Sequence, residues 1–173
     1  MLQDEEPINY TPRQIFGPLK REVVVGVAAS AIHSVAFTST SLYTWGKNEG
    51  QLGLMDSDSR SLEAQTVPRR VAASLFISTI QMVSAINRAT ICLLTNHSVY
   101  VFTNYGYNNV KFPMHDGFSN YHLNNTALTT RYEAEPSHIS SITSGGETIA
   151  AVSSRGDLFT LNVSQKVSAS SLP

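Results

Sequence analysis

HSVAFTSTSLYTWGKNEGQLG, residues 33–53 of the 173-residue chain, decides how the rest is read. Ser34–Thr38 is a short run rich in β-branched and aromatic residues. The polar turn Ser39-Thr40-Ser41 follows, then a second such run, Leu42–Trp45, and a loop punctuated by Gly46, Gly50 and Gly53. Two short β-type runs joined by a tight polar turn predict a hairpin.

Fainter copies of that hairpin lie downstream. ICLLT (91–95) and VYVF (99–102) flank Asn-His-Ser; IAAVS (149–153) and LFTL (158–161) flank Ser-Arg-Gly-Asp. The third turn alone contains glycine, Gly156, and reads as one residue longer. Each hairpin follows an apolar pattern spaced by three: Val24/Val27, Ile80/Val83 and Ile139/Ile142. Upstream, TPRQIFGPLKREVVVGV (11–27) and VPRRVAASLFISTIQMV (67–83) align without a gap, Pro12 with Pro68 and Arg13 with Arg69. A repeat of this length predicts an all-β array of three units that stack on one another. Helix competes over VAASAIHSVAF (27–37) because of its alanines, but the short runs, β-branched residues and 56-residue repeat favour strand. SVAFT and ICLLT alternate poorly, which fits strands buried on both faces between neighbouring sheets.

The expected boundaries are a loosely tethered leader over 1–10, repeats over 11–163 with copies near 11–66, 67–130 and 131–163, and a Ser-rich tail or linker over 164–173. Two long polar links, 47–64 and 107–137, join the copies. Composition narrows the function classes. Net charge is −1, and only 14% of residues are charged against a usual share of about 25%. No field of one sign would draw the chain to nucleic acid or membrane. No apolar run approaches the roughly 20 residues of a membrane-spanning helix. The acidic start lacks the apolar core of a secretion signal, so an intracellular location, cytoplasm or nucleus, is expected. The single cysteine, Cys92, lies in an apolar run and reads as a buried, inert thiol.

No constellation for catalysis is legible: Gly-x-Ser-x-Gly, phosphate-loop and dinucleotide strings are all missing from the sequence. His33 opens a strand, and its counterparts Ala89 and Thr148 cannot bind metal, so it reads as a structural histidine. His115, His122 and His138, with Asp116, match no zinc spacing. No cofactor, metal or small-molecule substrate is expected. The basic pairs Lys20-Arg21 and Arg69-Arg70 lack an aromatic platform, so nucleic acid is not expected as a partner either. Arg13 and Arg69 read as a shared structural hydrogen bond to a neighbouring loop. Binding therefore falls to the loops: Asp56, Asp58 and Arg60 in the first link, and Tyr105, Tyr107 and Phe112, with Phe118 and Tyr121, in the second. Those aromatics serve equally well as packing between repeats.

Set in order, His-Ser-x-Ala-Phe-Thr (33–38), Leu-Tyr-Thr-Trp-Gly (42–46), Gly-Gln-Leu-Gly (50–53) and Pro-Arg-Arg-Val (68–71) resemble the regulator of chromosome condensation repeats. That resemblance implies a seven-bladed β-propeller, of which these three copies make an incomplete ring. It marks His33, Tyr43, Trp45, Gly46, Gly50, Gly53 and Pro68 as blade-building residues. Small residues at 28–30 and Gly145-Gly146 would allow close backbone approach near a central channel. Through WGKNEGQLGLMDSDSRSLEAQTVPRRV (45–71) and FTNYGYN (102–108) the chain is further similar to fungal and animal proteins of the inhibitor of Bruton's tyrosine kinase type, which combine ankyrin repeats, a propeller and BTB domains. This implies a protein-binding module that recruits substrates or scaffolds for a cullin-type ubiquitin ligase, through BTB domains outside this stretch. The alternative implied by the founding family is nucleotide exchange on a Ran-type GTPase with chromatin association, against which the acidic leader counts.

Overall fold

The computed structural model describes residues 10–72, 74, 76, 78–114 and 136–163. Among them run eleven strands in three antiparallel sheets. Sheet A has the order β1 (Gly26–Ala29), β2 (His33–Phe37), β3 (Leu42–Gly46), β4 (Gln65–Arg70). Sheet B is β5 (Ile80–Ile86), β6 (Ala89–Leu94), β7 (Val99–Thr103), β8 (Gly106–Val110). Sheet C is β9 (Ile139–Gly145), β10 (Thr148–Ser153), β11 (Leu158–Asn162). Short 3-10 turns occupy Gly17–Leu19 and Ser59–Leu62. The helical alternative for 27–37 is replaced by the β1–β2 hairpin, in which Ser30 Oγ accepts from the Ile32 and His33 amides.

The sheets stack face to face, as the blades of a partial propeller do. All six residues of β6 are buried. Cys92 and Leu94 join Val35, Phe37, Leu42 and Val71 in the core between sheets A and B. Ile91 and Leu93 point the other way, joining Ile139, Ile142, Ile149 and Ala151 between B and C. A strand walled by apolar sheets on both faces needs no polar alternation, which explains the continuous ICLL run. The innermost strands touch in the order β1, β5, β9.

The three-residue apolar spacing that precedes each hairpin is itself strand, with a bulge. Ile80 pairs with Leu94 but Met82 with Leu93, leaving Gln81 as the extra residue; Ser140 plays the same part between Ile139 and Ser141. A bulge puts residues three apart on one face, so Ile80 and Val83 both face sheet A.

Three details differ from the sequence reading. The third hairpin is not longer than the second: Leu93 pairs with Val99 and Val152 with Leu158, so each encloses five residues. The first is shorter, with Phe37 paired to Leu42. Matching apolar runs set the first strand of the second hairpin, β6, one residue out of register. Secondly, the polar link after Thr103 begins with a strand, β8, whose Tyr107, Asn108 and Asn109 are exposed at a sheet edge and carry no apolar signature. Thirdly, Gly145 does not mark close packing, since a Cβ there would meet nothing within 4 Å; Gly146 instead takes φ +59 in the turn between β9 and β10. Pro68 lies buried in β4, at the edge of sheet A, where a missing N–H costs no ladder bond.

Candidate functional site

Sheets A and B meet at one end through a fixed loop contact. Gly46 leaves β3 at φ +117, where a Cβ would stand 2.5 Å from the Ile32 carbonyl oxygen and 2.7 Å from His33 Cα. The chain then folds over itself. Asn48 Oδ1 accepts from the Gly50 amide at 2.9 Å, and buried Gln51 donates to the Lys47 carbonyl at 2.9 Å while accepting from the Glu49 amide at 2.7 Å. Thr44 Oγ1 donates to the Leu52 carbonyl at 2.7 Å. With its polar groups satisfied internally, this loop behaves as a packed element.

It is pinned on the hairpin turn between β7 and β8. The Tyr105 amide donates to the Gly50 carbonyl at 2.9 Å. Gly50 has φ +92, and any Cβ would fall 2.6 Å from that amide nitrogen, so only glycine permits the contact. Asn104 and Tyr105 themselves have φ +50 and +59, the paired left-handed geometry of a two-residue hairpin turn. Between the loops opens a cleft of about 390 Å³, lined by Asn48, Glu49, Arg88, Thr103, Asn104, Tyr105 and Val163. Glu49 lies 2.7 Å from Lys47, which lowers its carboxyl below the ordinary range by hydrogen bond and charge. Arg88 comes within 3.9 Å of Glu147. The lining is mostly amide, hydroxyl and charge with one exposed aromatic ring, a surface suited to polar contacts with another macromolecule.

Beneath the site, His33 crosses from sheet A to sheet B. Its Nε2 stands 2.8 Å from Thr90 Oγ1, which in turn donates to the Gln51 carbonyl at 2.7 Å; its Nδ1 stands 2.7 Å from Ser30 Oγ. Because the Thr90 hydroxyl proton goes to Gln51, Thr90 accepts from Nε2–H, and Ser30 donates to Nδ1. This chain holds a neutral imidazole, and burial pulls its pKa down to about 4.

The loop residues singled out in the sequence fall in different settings. Tyr105 projects at the cleft. Asp58 caps the 3-10 turn and pairs with Arg60 at 2.6 Å, which holds its pKa down to about 2. Asp56 accepts from Arg69 at 3.0 Å, and Arg69 also reaches Gln65 Oε1 and Ser61 Oγ. These charges thus brace the 47–64 loop, with Arg69 of β4 bonded to the loop that leads into its own strand. Tyr107 packs at 5.7 Å from Tyr100 and 6.1 Å from Phe102, and Phe112 at 5.5 Å from Phe159. Both are inter-strand or inter-sheet packing positions. Gly53, at φ +71, sits under the Phe102 ring; Tyr43 is buried and Trp45 half-buried in β3. Phe118, Tyr121, His115, His122 and Asp116 lie outside the described residues. His138 stacks on His97 at 3.8 Å. Among the described residues no three His, Cys, Asp or Glu side chains converge as a metal site would require. The sequence reading missed Asn48, Arg88 and Asn104. Each is an ordinary turn residue on its own, and only the stacking of two sheets brings them together.

Residues 41–93 match the sequence model of the regulator of chromosome condensation (RCC1) repeat. Over 117 residues the chain is 42% identical to BTB/POZ domain-containing protein 1 of Schizosaccharomyces pombe, a match covering 68% of this chain and 8% of that protein. Over 96 residues it is 36% identical to human Inhibitor of Bruton tyrosine kinase, covering 54% of this chain and 7% of that protein. The chain therefore spans under a tenth of these relatives. Human WBSCR16 shares the fold at TM-score 0.64 and 18% identity, over 86% of this chain and 36% of the other. Yeast RCC1 (Prp20), solved bound to Kap60, does so at TM-score 0.61 and 16% identity, over 84% and 33%.

Proposed function

For a chain built of regulator of chromosome condensation repeats, we propose a non-catalytic role as the recruiting or scaffolding segment of a larger BTB-containing protein, one that serves a cullin-type ubiquitin ligase inside the cell, in cytoplasm or nucleus. The observation that carries this is the loop contact between sheets A and B. Gly50 and the Tyr105 amide lock two loops from different repeats into one surface, with Asn104 and Tyr105 held outward. A loop ordered before binding loses little entropy when a partner arrives. A half-exposed tyrosine at such a rim supplies apolar area with a hydroxyl that stays hydrogen-bonded. The name of the Schizosaccharomyces pombe relative supports a BTB-linked setting over exchange on a GTPase, whereas the likeness to yeast RCC1 (Prp20), at 16% identity, is one of fold.

Affinity capture with mass spectrometry tests this, using the chain alone and the longer protein that carries BTB domains. Client proteins are expected with both, cullin only with the longer one. Tyr105→Ala with Asn104→Gly, a residue that fits the φ +50 of that position, should weaken client capture roughly tenfold or more, leaving thermal stability near that of the parent. Stoichiometric recovery of a Ran-type GTPase, with accelerated nucleotide release, would refute the assignment.

A further inference from the structure

The hairpin turn between β6 and β7 carries an imidazole that its backbone does not call for. His97 takes φ +71, and the residue at the same place in the third hairpin is Gly156, at φ +87. The equivalence follows from the pairing, since each stands two positions before the residue that opens the next strand, Val99 or Leu158. Glycine suits such a backbone better than a residue with a side chain. What the His97 ring does is stack on His138, with ring centroids 3.8 Å apart and planes 24° apart.

The two rings are held from different sheets. The His97 amide donates to the Leu94 carbonyl at 2.9 Å, within the turn of sheet B. His138 leads into β9 and is tied to the hairpin of sheet C twice: its amide donates to Ser154 Oγ at 3.2 Å, and its carbonyl accepts from the Ser154 amide at 2.7 Å. The equivalent of His138 ahead of β5 is Thr79, whose hydroxyl stands 2.9 Å from that of Thr95, so the imidazole pair belongs to the junction of B with C. Among the described residues neither ring makes a hydrogen bond, and His97 is exposed while His138 is half-buried. Their nitrogens therefore face outward chemistry rather than each other's sheets.

Imidazole nitrogen binds zinc at about 2.0–2.1 Å, so two such nitrogens on one tetrahedral ion stand about 3.3 Å apart. Rings stacked at 3.8 Å can bring one nitrogen each to that span by turning about χ2, a soft torsion in histidine. We propose that His97 and His138 together chelate a divalent transition-metal ion of the zinc class, clipping sheet B to sheet C. Two imidazoles are fewer ligands than a resident zinc site supplies, so the ion keeps water in its other positions and exchanges with solution. The clip lies at the opposite end of β6 from Arg88 and the cleft, and is independent of the recruiting role.

Calorimetric titration of the 173-residue chain with zinc chloride tests this, at about pH 7.5 because the ligands must be deprotonated. Wild type should take up an ion with a Kd of about 100 μM or tighter. His97→Gly, which fits φ +71, and His138→Gln should each weaken that uptake at least tenfold, because either removes one of two ligands. Zinc should raise the Tm of wild type and leave that of both variants unchanged. In wild type, zinc should also shield both rings from diethyl pyrocarbonate, followed by peptide mass spectrometry; this decides the matter if a variant fails to fold. Wild-type uptake weaker than about 100 μM overturns the proposal. So does uptake that survives either substitution, and so do rings that stay reactive with zinc bound.

Discussion

Acidification should destabilise this fold through His33. In the folded chain its pKa is about 4, against an ordinary 6.5, because burial penalises the charged ring and both ring nitrogens are committed to Ser30 and Thr90. Unfolding frees the ring to take a proton between those values, so the unfolded chain binds more protons there and stability falls as pH falls. The contribution is full above about pH 6.5, declines through the window, and is gone by about pH 4. A shift of 2.5 units corresponds to about 3 kcal/mol in all, with about 2 kcal/mol lost between pH 7 and pH 5. Urea unfolding followed by the fluorescence of Trp45, the single tryptophan, measures it at a series of pH values and low protein concentration. Carboxylates and other histidines add their own pH dependence, so the decisive quantity is the difference between wild type and His33→Gln. That variant keeps a donor for Thr90 but cannot titrate. Wild-type stability should fall more steeply than the variant's between pH 6.5 and 4 by the amounts above. Parallel curves would refute the assignment of a buried, neutral bridge.

Three further outcomes follow from particular contacts. Gly46→Ala should cost roughly 3 kcal/mol in urea unfolding, since φ +117 strains any side chain and the new Cβ meets the Ile32 carbonyl and His33 backbone, which cannot retreat. Ile91→Ala, at a fully buried site between sheets B and C, should cost about 2–5 kcal/mol by leaving a cavity, whereas Leu158→Ala on the open face should change monomer stability by under about 0.5 kcal/mol. Cys92 is fully buried and its thiol is pushed well above the ordinary range, so a thiol reagent should react only as the protein unfolds, and its rate should rise with urea in step with the unfolded fraction.

Much of the fold was legible because burial on two faces writes itself into composition. ICLL in β6 and VYVF in β7 are apolar throughout, and no other environment in an all-β array calls for that. β8 was not legible, because an edge strand facing solvent has the same polar residues as a loop. The bulged inner strands were half-legible: a spacing of three is visible, but strand and helix share it until the pairing partner is known. At the site the glycines were visible as turn formers, yet Gly50 matters for a contact with Tyr105, 55 positions on, that turn chemistry cannot foretell.

By itself the sequence determined that short β-hairpins repeat, that His33 has no repeated counterpart to share a metal, and that Gly46, Gly50 and Gly53 bound a tight loop, since these depend on local conformation and periodicity. Only the tertiary structure decided which loops share a surface, and that Tyr105, and neither Tyr107 nor Phe112, lines the cleft. The reason is distance along the chain. Stacking sheet on sheet joins residues some 50 to 60 positions apart through hydrogen bonds and van der Waals contact, and nothing in either local stretch encodes which partner it will meet.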